Sequence, residues 1–141
     1  MVINLFLFLI LLTIVFIFVL TTKEPPELTE VKRRYAILIE NCPNEFKILR
    51  KPIIITAFRK RFGEIGYNVN KGCEIGICID GTPNQIFHVL IHELAHSTVK
   101  VYSHDSEFWQ NFEKLKQVCI DLGIYEIIPE KTPFCGKTVH D

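Results

Sequence analysis

His92-Glu93-Leu94-Ala95-His96 is the stretch on which the reading of this chain turns. On a helix, imidazoles four residues apart lie on one face and can share a single tetrahedral metal ion. Glu93, between them, is then placed to act as base on a metal-bound water. So short a pattern also recurs by chance, and its flanks decide what it means. Thr82-Pro83-Asn84-Gln85 reads as a helix start, with Thr82 as N-cap, Pro83 at the first helical position and Gln85 closing a capping box. Ile86, Phe87, Val89, Leu90, Ile91, Leu94 and Ala95 then form a broad apolar surface, and nothing breaks the helix before about Lys100. The bland alternative is a buried helix carrying satisfied histidines, and it would have to bury Glu93 without a partner ion.

A catalytic zinc site needs a third protein ligand and an open position for water. His104 is the expected ligand. Ser97 to Ser103 is long enough to end the helix and turn the chain back, and Asp105 caps a second helix. The apolar positions Phe108, Phe112, Leu115, Cys119 and Leu122 give that helix its stripe, and Gly123 stops it. Glu113 and Glu107 are rivals for the third place, although Glu113 falls outside the stripe. The metzincin pattern is excluded, because Val99 and Tyr102 stand where it requires Gly and His. His88, one turn before His92, reads as an orienting or packing residue, since a fourth protein ligand would close the water position.

His92-Glu93-Leu94-Ala95-His96 followed by His104-Asp105-Ser106-Glu107-Phe108-Trp109 resembles the compact zinc metallopeptidases of the SprT and WLM group. These share an H-E-L-A-H helix, a downstream histidine and an aromatic residue shortly after it. The likeness is greatest to the short, membrane-anchored members predicted in large DNA viruses, and it covers about Ile77 to Leu122 well. The resemblance implies Zn2+ held by His92, His96 and His104, a general base at Glu93, and a protein or peptide substrate of unstated sequence.

Met1 to Leu20 carries no charged side chain and is almost entirely Leu, Ile, Val and Phe, long enough to cross a bilayer as a helix. A cleavable signal peptide is the alternative. The segment lacks a basic n-region, exceeds an h-region in length, and is followed by Thr21-Thr22-Lys23-Glu24-Pro25-Pro26, with no small-x-small site. The expected organisation is a transmembrane anchor at 1–21, a linker at 22–27 and a single domain at 28–141. Lys23, Lys32, Arg33 and Arg34 follow the anchor, which by the positive-inside rule places the domain in the cytosol or a virion interior.

The five cysteines, Cys42, Cys73, Cys78, Cys119 and Cys135, show no framework spacing and read as small buried hydrophobes, with Cys135 the one that could meet another across the fold. Sixteen basic side chains balance sixteen acidic ones, so the chain lacks a general grip on nucleic acid. Arg59-Lys60-Arg61 is a local basic cluster whose ordinary reading is a solvated turn.

Around the motif, Leu28 to Glu40 has helical periodicity, and Ile53-Ile54-Ile55 within Phe46 to Phe58 reads as a strand. A turn at Arg61-Phe62-Gly63, a strand at Tyr67-Asn68-Val69 and another at Glu74 to Asp80 follow. The expected fold class is α+β, a minimal zincin-like domain: helix, small three-stranded sheet, active-site helix, second helix. In that plan the strand before the motif helix lies beside the cleft and can pair with an extended substrate. The expected activity is zinc-dependent peptide hydrolysis, with Tyr102, Tyr67 or Tyr125 as the further oxyanion donor. The alternatives are a DNA-associated protease and a membrane protein whose zinc only fixes the fold.

Overall fold

The computed structural model describes residues 2–60 and 63–141, with side chains from residue 4 onward. Helix α1 spans Val2–Thr21, and its exposed surface is apolar apart from Asn4, Thr13 and Thr21. Its segment Asn4–Thr21 is long and apolar enough to cross a membrane. Helix α2, Pro26–Glu40, follows after four residues and buries Leu28, Val31 and Leu38. A 3-10 segment, Asn44–Arg50, inserts Phe46 and Leu49 into the same core, where the sequence suggested the approach to a strand.

Strands β1 (Ile54–Phe58), β2 (Gly66–Val69) and β3 (Glu74–Cys78) form one sheet in the order β1-β3-β2. β3 runs parallel to β1, with Ile75 opposite Ile55, and antiparallel to β2, with Ile75 opposite Asn68. The strand preceding the motif helix is therefore central, with both edges paired. The expectation that it borders the cleft is corrected: β2 holds that edge. The expected turn at Arg61-Phe62-Gly63 and the third residue of the basic cluster lie outside the described residues, except for Gly63, at φ 78°.

Helix α3, Pro83–Thr98, packs on this sheet, and eleven of its sixteen residues are buried. Its start is locally encoded: the Gln85 N–H donates to Thr82 Oγ1, while the Thr82 N–H donates to Gln85 Oε1. Helix α4, Ser106–Asp121, begins at Asp105, whose carboxylate accepts from the Phe108 N–H at 3.0 Å. Beyond it, Gly123 takes a left-handed φ of 69°, and the Ile124 N–H returns to the Cys119 carbonyl. Phe108, Phe112, Leu115 and Cys119 close the α3–α4 interface as the stripe predicted.

The chain ends in a hairpin absent from the sequence reading, β4 (Thr132–Phe134) and β5 (Lys137–Val139). Cys135 and Gly136 form its two-residue turn, both at positive φ, a conformation suited to the right-handed twist of paired strands. A disulfide joins Cys135 to Cys78 at the end of β3. Cys42 and Cys119 are free and buried, and Cys73 is exposed. The reading of the cysteines as buried hydrophobes holds for Cys42 and Cys119 and fails for Cys73, which is exposed, and for Cys78, which is buried but bonded; Cys135 pairs across the fold as the sequence allowed.

Candidate metal centre

The two C-terminal turns of α3 carry His92 and His96 on the face turned toward the start of α4. There the cap at Asp105 fixes the preceding residue, His104. Ligating nitrogens of His92, His96 and His104 all lie within 4.8 Å of one another. His92 Nε2 and His104 Nε2 are 3.0 Å apart. Two nitrogens on a tetrahedral zinc, each about 2.0–2.1 Å from the ion, would be separated by roughly 3.3 Å, so the spacing fits a shared ion. His96 Nδ1 is buried without a protein hydrogen-bond partner, so no hydrogen bond at that nitrogen holds the ring in place. The rings pack on Phe108, whose centroid is 4.9 Å from that of His92, 4.4 Å from His96 and 4.6 Å from His104. One aromatic side chain of α4 thereby supports the whole set.

The electrostatics favour neutral imidazoles at His92 and His96, the form that offers a lone pair to a metal. Burial pulls the His92 pKa down to about 3, helped by His96, His104 and His88. Burial, with His104 and Lys71, lowers that of His96 also. Glu93 is 7% exposed, and burial raises its carboxyl to about 7. Its surroundings come from β2. Gly66 passes so close to α3 that a Cβ there would stand 2.8 Å from Glu93 Oε1. Asn68 Nδ2 donates to the Glu93 carbonyl at 2.7 Å and to Ser97 Oγ at 2.8 Å, tying the strand to the helix.

These groups open into a cleft of about 530 Å³. Ile65, Gly66 and Asn68 line it from the β2 side, and residues 137–140 line it from the hairpin. Tyr102 is the one proposed oxyanion donor that reaches it; its hydroxyl accepts from the Lys71 N–H at 2.9 Å. Tyr67 instead stacks on Phe58 and meets Thr56 and Glu74. Tyr125 is buried, donating to Asp141 at 2.5 Å. Glu113 is taken up by Lys116 at 2.8 Å, and neither it nor Glu107 joins the histidine cluster. His88 lines the cleft outside that cluster, its Nδ1 at 2.8 Å from the Tyr125 hydroxyl.

The sequence reading missed Gly66, Asn68 and the whole hairpin wall. Only Cys135-Gly136, a turn-forming pair, signalled the last of these. Compared with protein families, curated proteins and solved structures, the chain matches none.

Proposed function

We propose that the protein is a membrane-anchored, zinc-dependent peptidase of the zincin type, resembling the SprT and WLM group in its His92–His96 and His104–Trp109 segments. The observation that carries this reading is the convergence of His92, His96 and His104 beside the buried carboxylate of Glu93, all opening on one cleft. A structural zinc site needs neither an open cleft nor an adjacent carboxylate, and burying one unpaired is costly. Zn2+ held by the three histidines would acidify water and polarise a peptide carbonyl.

The residues of the chain supply the rest. Glu93 takes a proton from the attacking water and passes it to the leaving amine. The low-polarity walls around it, Val89 and Ile65, limit competing solvent. The edge strand β2 offers main-chain groups to an extended peptide, holding it along the cleft above Glu93. Tyr102 stands at the rim as a hydroxyl that can turn to the substrate carbonyl. Helix α1 retains the enzyme in a bilayer, and Lys23, Lys32, Arg33 and Arg34 orient the domain to the cytosolic or virion-interior side.

The test is Glu93→Gln in the full chain. Shape and bound zinc should persist, while hydrolysis of peptides falls by about 10²–10⁴-fold. Undiminished hydrolysis by this variant would remove Glu93 from the chemistry and with it the peptidase mechanism.

A further inference from the structure

We infer that the C-terminal strap, residues 137–140, is a specificity element that selects peptides carrying an acidic side chain on the far side of the cleft; this rests on the peptidase reading above. The strap is fixed at both ends. At its turn, Cys135 is bonded to Cys78 of β3. At its other end, the Asp141 carboxylate is buried and accepts from Tyr125 Oη at 2.5 Å, the Ile128 N–H at 2.7 Å and Lys116 Nζ at 3.1 Å. The Asp141 N–H also donates to the Ile128 carbonyl at 2.9 Å, and Val139 is buried. Between these two pins the backbone has little freedom, so Lys137 and His140 are presented to the cleft without a further cost of ordering the main chain on binding.

Among the described residues, the charged side chain that the hairpin contributes to the cleft wall is a lysine. Lys137 lines the cleft and makes no ion pair among the described residues. Lys60 lies against the same turn, its Cε 3.0 Å from where a Cβ on Gly136 would stand. It too has no ion-pair partner among the described residues. The Asp80 carboxylate is taken up by Arg59 at 2.9 Å and by the Lys60 N–H. Among the described residues, Glu93 is the one carboxylate lining the cleft, and it belongs to the proposed site of reaction.

Lys137 also lies beside Gly63, three residues before the Gly66 that faces Glu93. Gly63 lies in the turn before β2, so the side chain selected falls beyond the stretch of β2 that faces Glu93. A carboxylate there meets the Lys137 ammonium group, and a lysine is repelled by it.

The experiment uses the full chain in lipid nanodiscs and a peptide series with Glu, Gln or Lys at each position around the scissile bond. Wild type should favour the Glu peptides over the Lys peptides by about tenfold in kcat/KM, an effect that weakens with salt. Lys137→Gln should flatten that ranking and Lys137→Glu should reverse it, with zinc content and melting temperature reported for each. Binding of the same peptides to Glu93→Gln, by fluorescence anisotropy, gives a readout free of turnover. Cleavage without regard to charge, or a ranking unmoved by both Lys137 variants, overturns the inference while leaving the peptidase reading intact. Charge-selective binding without any hydrolysis by wild type supports the strap and overturns the peptidase reading. Neither binding nor hydrolysis overturns both.

Discussion

Gly66→Ala tests how β2 holds the buried carboxylate of Glu93. The added Cβ would stand 2.7 Å from Val89 Cγ1 and 2.8 Å from Glu93 Oε1. Carbon pairs prefer about 3.5–4.0 Å, so the strand would have to back away from α3 by roughly 0.8 Å, or Val89 would have to leave its rotamer. Val89 is β-branched and stiff in a helix, which leaves movement of the strand and of Glu93 as the softer response. Overpacking of this kind costs about 1–3 kcal/mol. In a domain of this size that lowers the melting temperature by roughly 4–12 °C. The functional loss should be larger than the stability loss suggests, since misplacing a reacting group by about 1 Å costs on the order of 10²-fold in rate. The measurements are a thermal melt, zinc stoichiometry and peptide hydrolysis on the purified full chain. Retained zinc with lowered melting and activity is the expected result. A variant that melts with the wild type and hydrolyses at its rate would refute the close seating of β2 on Glu93.

Three other outcomes are expected. His104→Ala should weaken zinc binding by more than the roughly 10–100-fold that loss of a supporting hydrogen bond costs, as read by chelator competition; unchanged affinity would take His104 out of the site. Burial works to raise the Asp141 pKa, but hydrogen bonds from Tyr125, the Ile128 N–H and Lys116 outweigh it and hold the carboxyl below its ordinary value. The stability it contributes is therefore complete at neutral pH and is lost as pH falls through the lowered value, below about 4. In a pH series of melts, Asp141→Asn should remove that acid-dependent part, and an unaltered series would show that the C-terminal pin contributes nothing. The full chain should resist extraction from membranes by alkaline carbonate, and its domain should be protected from protease added outside sealed cells; release or digestion would count against anchor and orientation respectively.

Helices α3 and α4 were legible because their signals are local. The Thr82 and Gln85 pair, the Asp105 cap and the apolar stripe through Phe108 and Leu115 each lie within a few turns of the residues they order. The metal cluster was legible for the same reason, its members spanning only His92 to His104. The sheet order was not, since nothing near Ile75 states that it will sit between Ile55 and Asn68. Three-residue strands such as β4 and β5 are too short for alternation to show, and their purpose depends on partners far along the chain. His88 looked like a packing residue because Asp141 and Tyr125, which orient it, are distant in sequence. An odd cysteine count argued against a framework of several bridges, but it said nothing against the single pair that forms, 57 residues apart.

That pair bears on where the domain sits. Basic residues after the anchor point to a reducing compartment, while disulfides persist mainly in oxidising ones. The two signals differ in what they constrain. In the anchored protein proposed above, orientation would be decided during insertion, when Lys23, Lys32, Arg33 and Arg34 act and the domain has not folded. Survival of the bridge depends on a thiolate reaching a sulfur, and here Cys78 is fully buried and Cys135 nearly so, at 5% exposure. Burial slows exchange from either side of the membrane, so a bridge once formed does not overturn a cytosolic orientation. Loss of a loop of this length from the unfolded ensemble is worth about 4 kcal/mol in the chain-entropy account, enough that its state should be visible in a melt. Thiol alkylation of the protein as it stands in cells, set beside the protease-protection result, therefore measures redox state and topology separately. A free Cys78–Cys135 pair there would leave the strap held by Asp141 alone, and the charge ranking of peptides should then narrow together with the melting temperature.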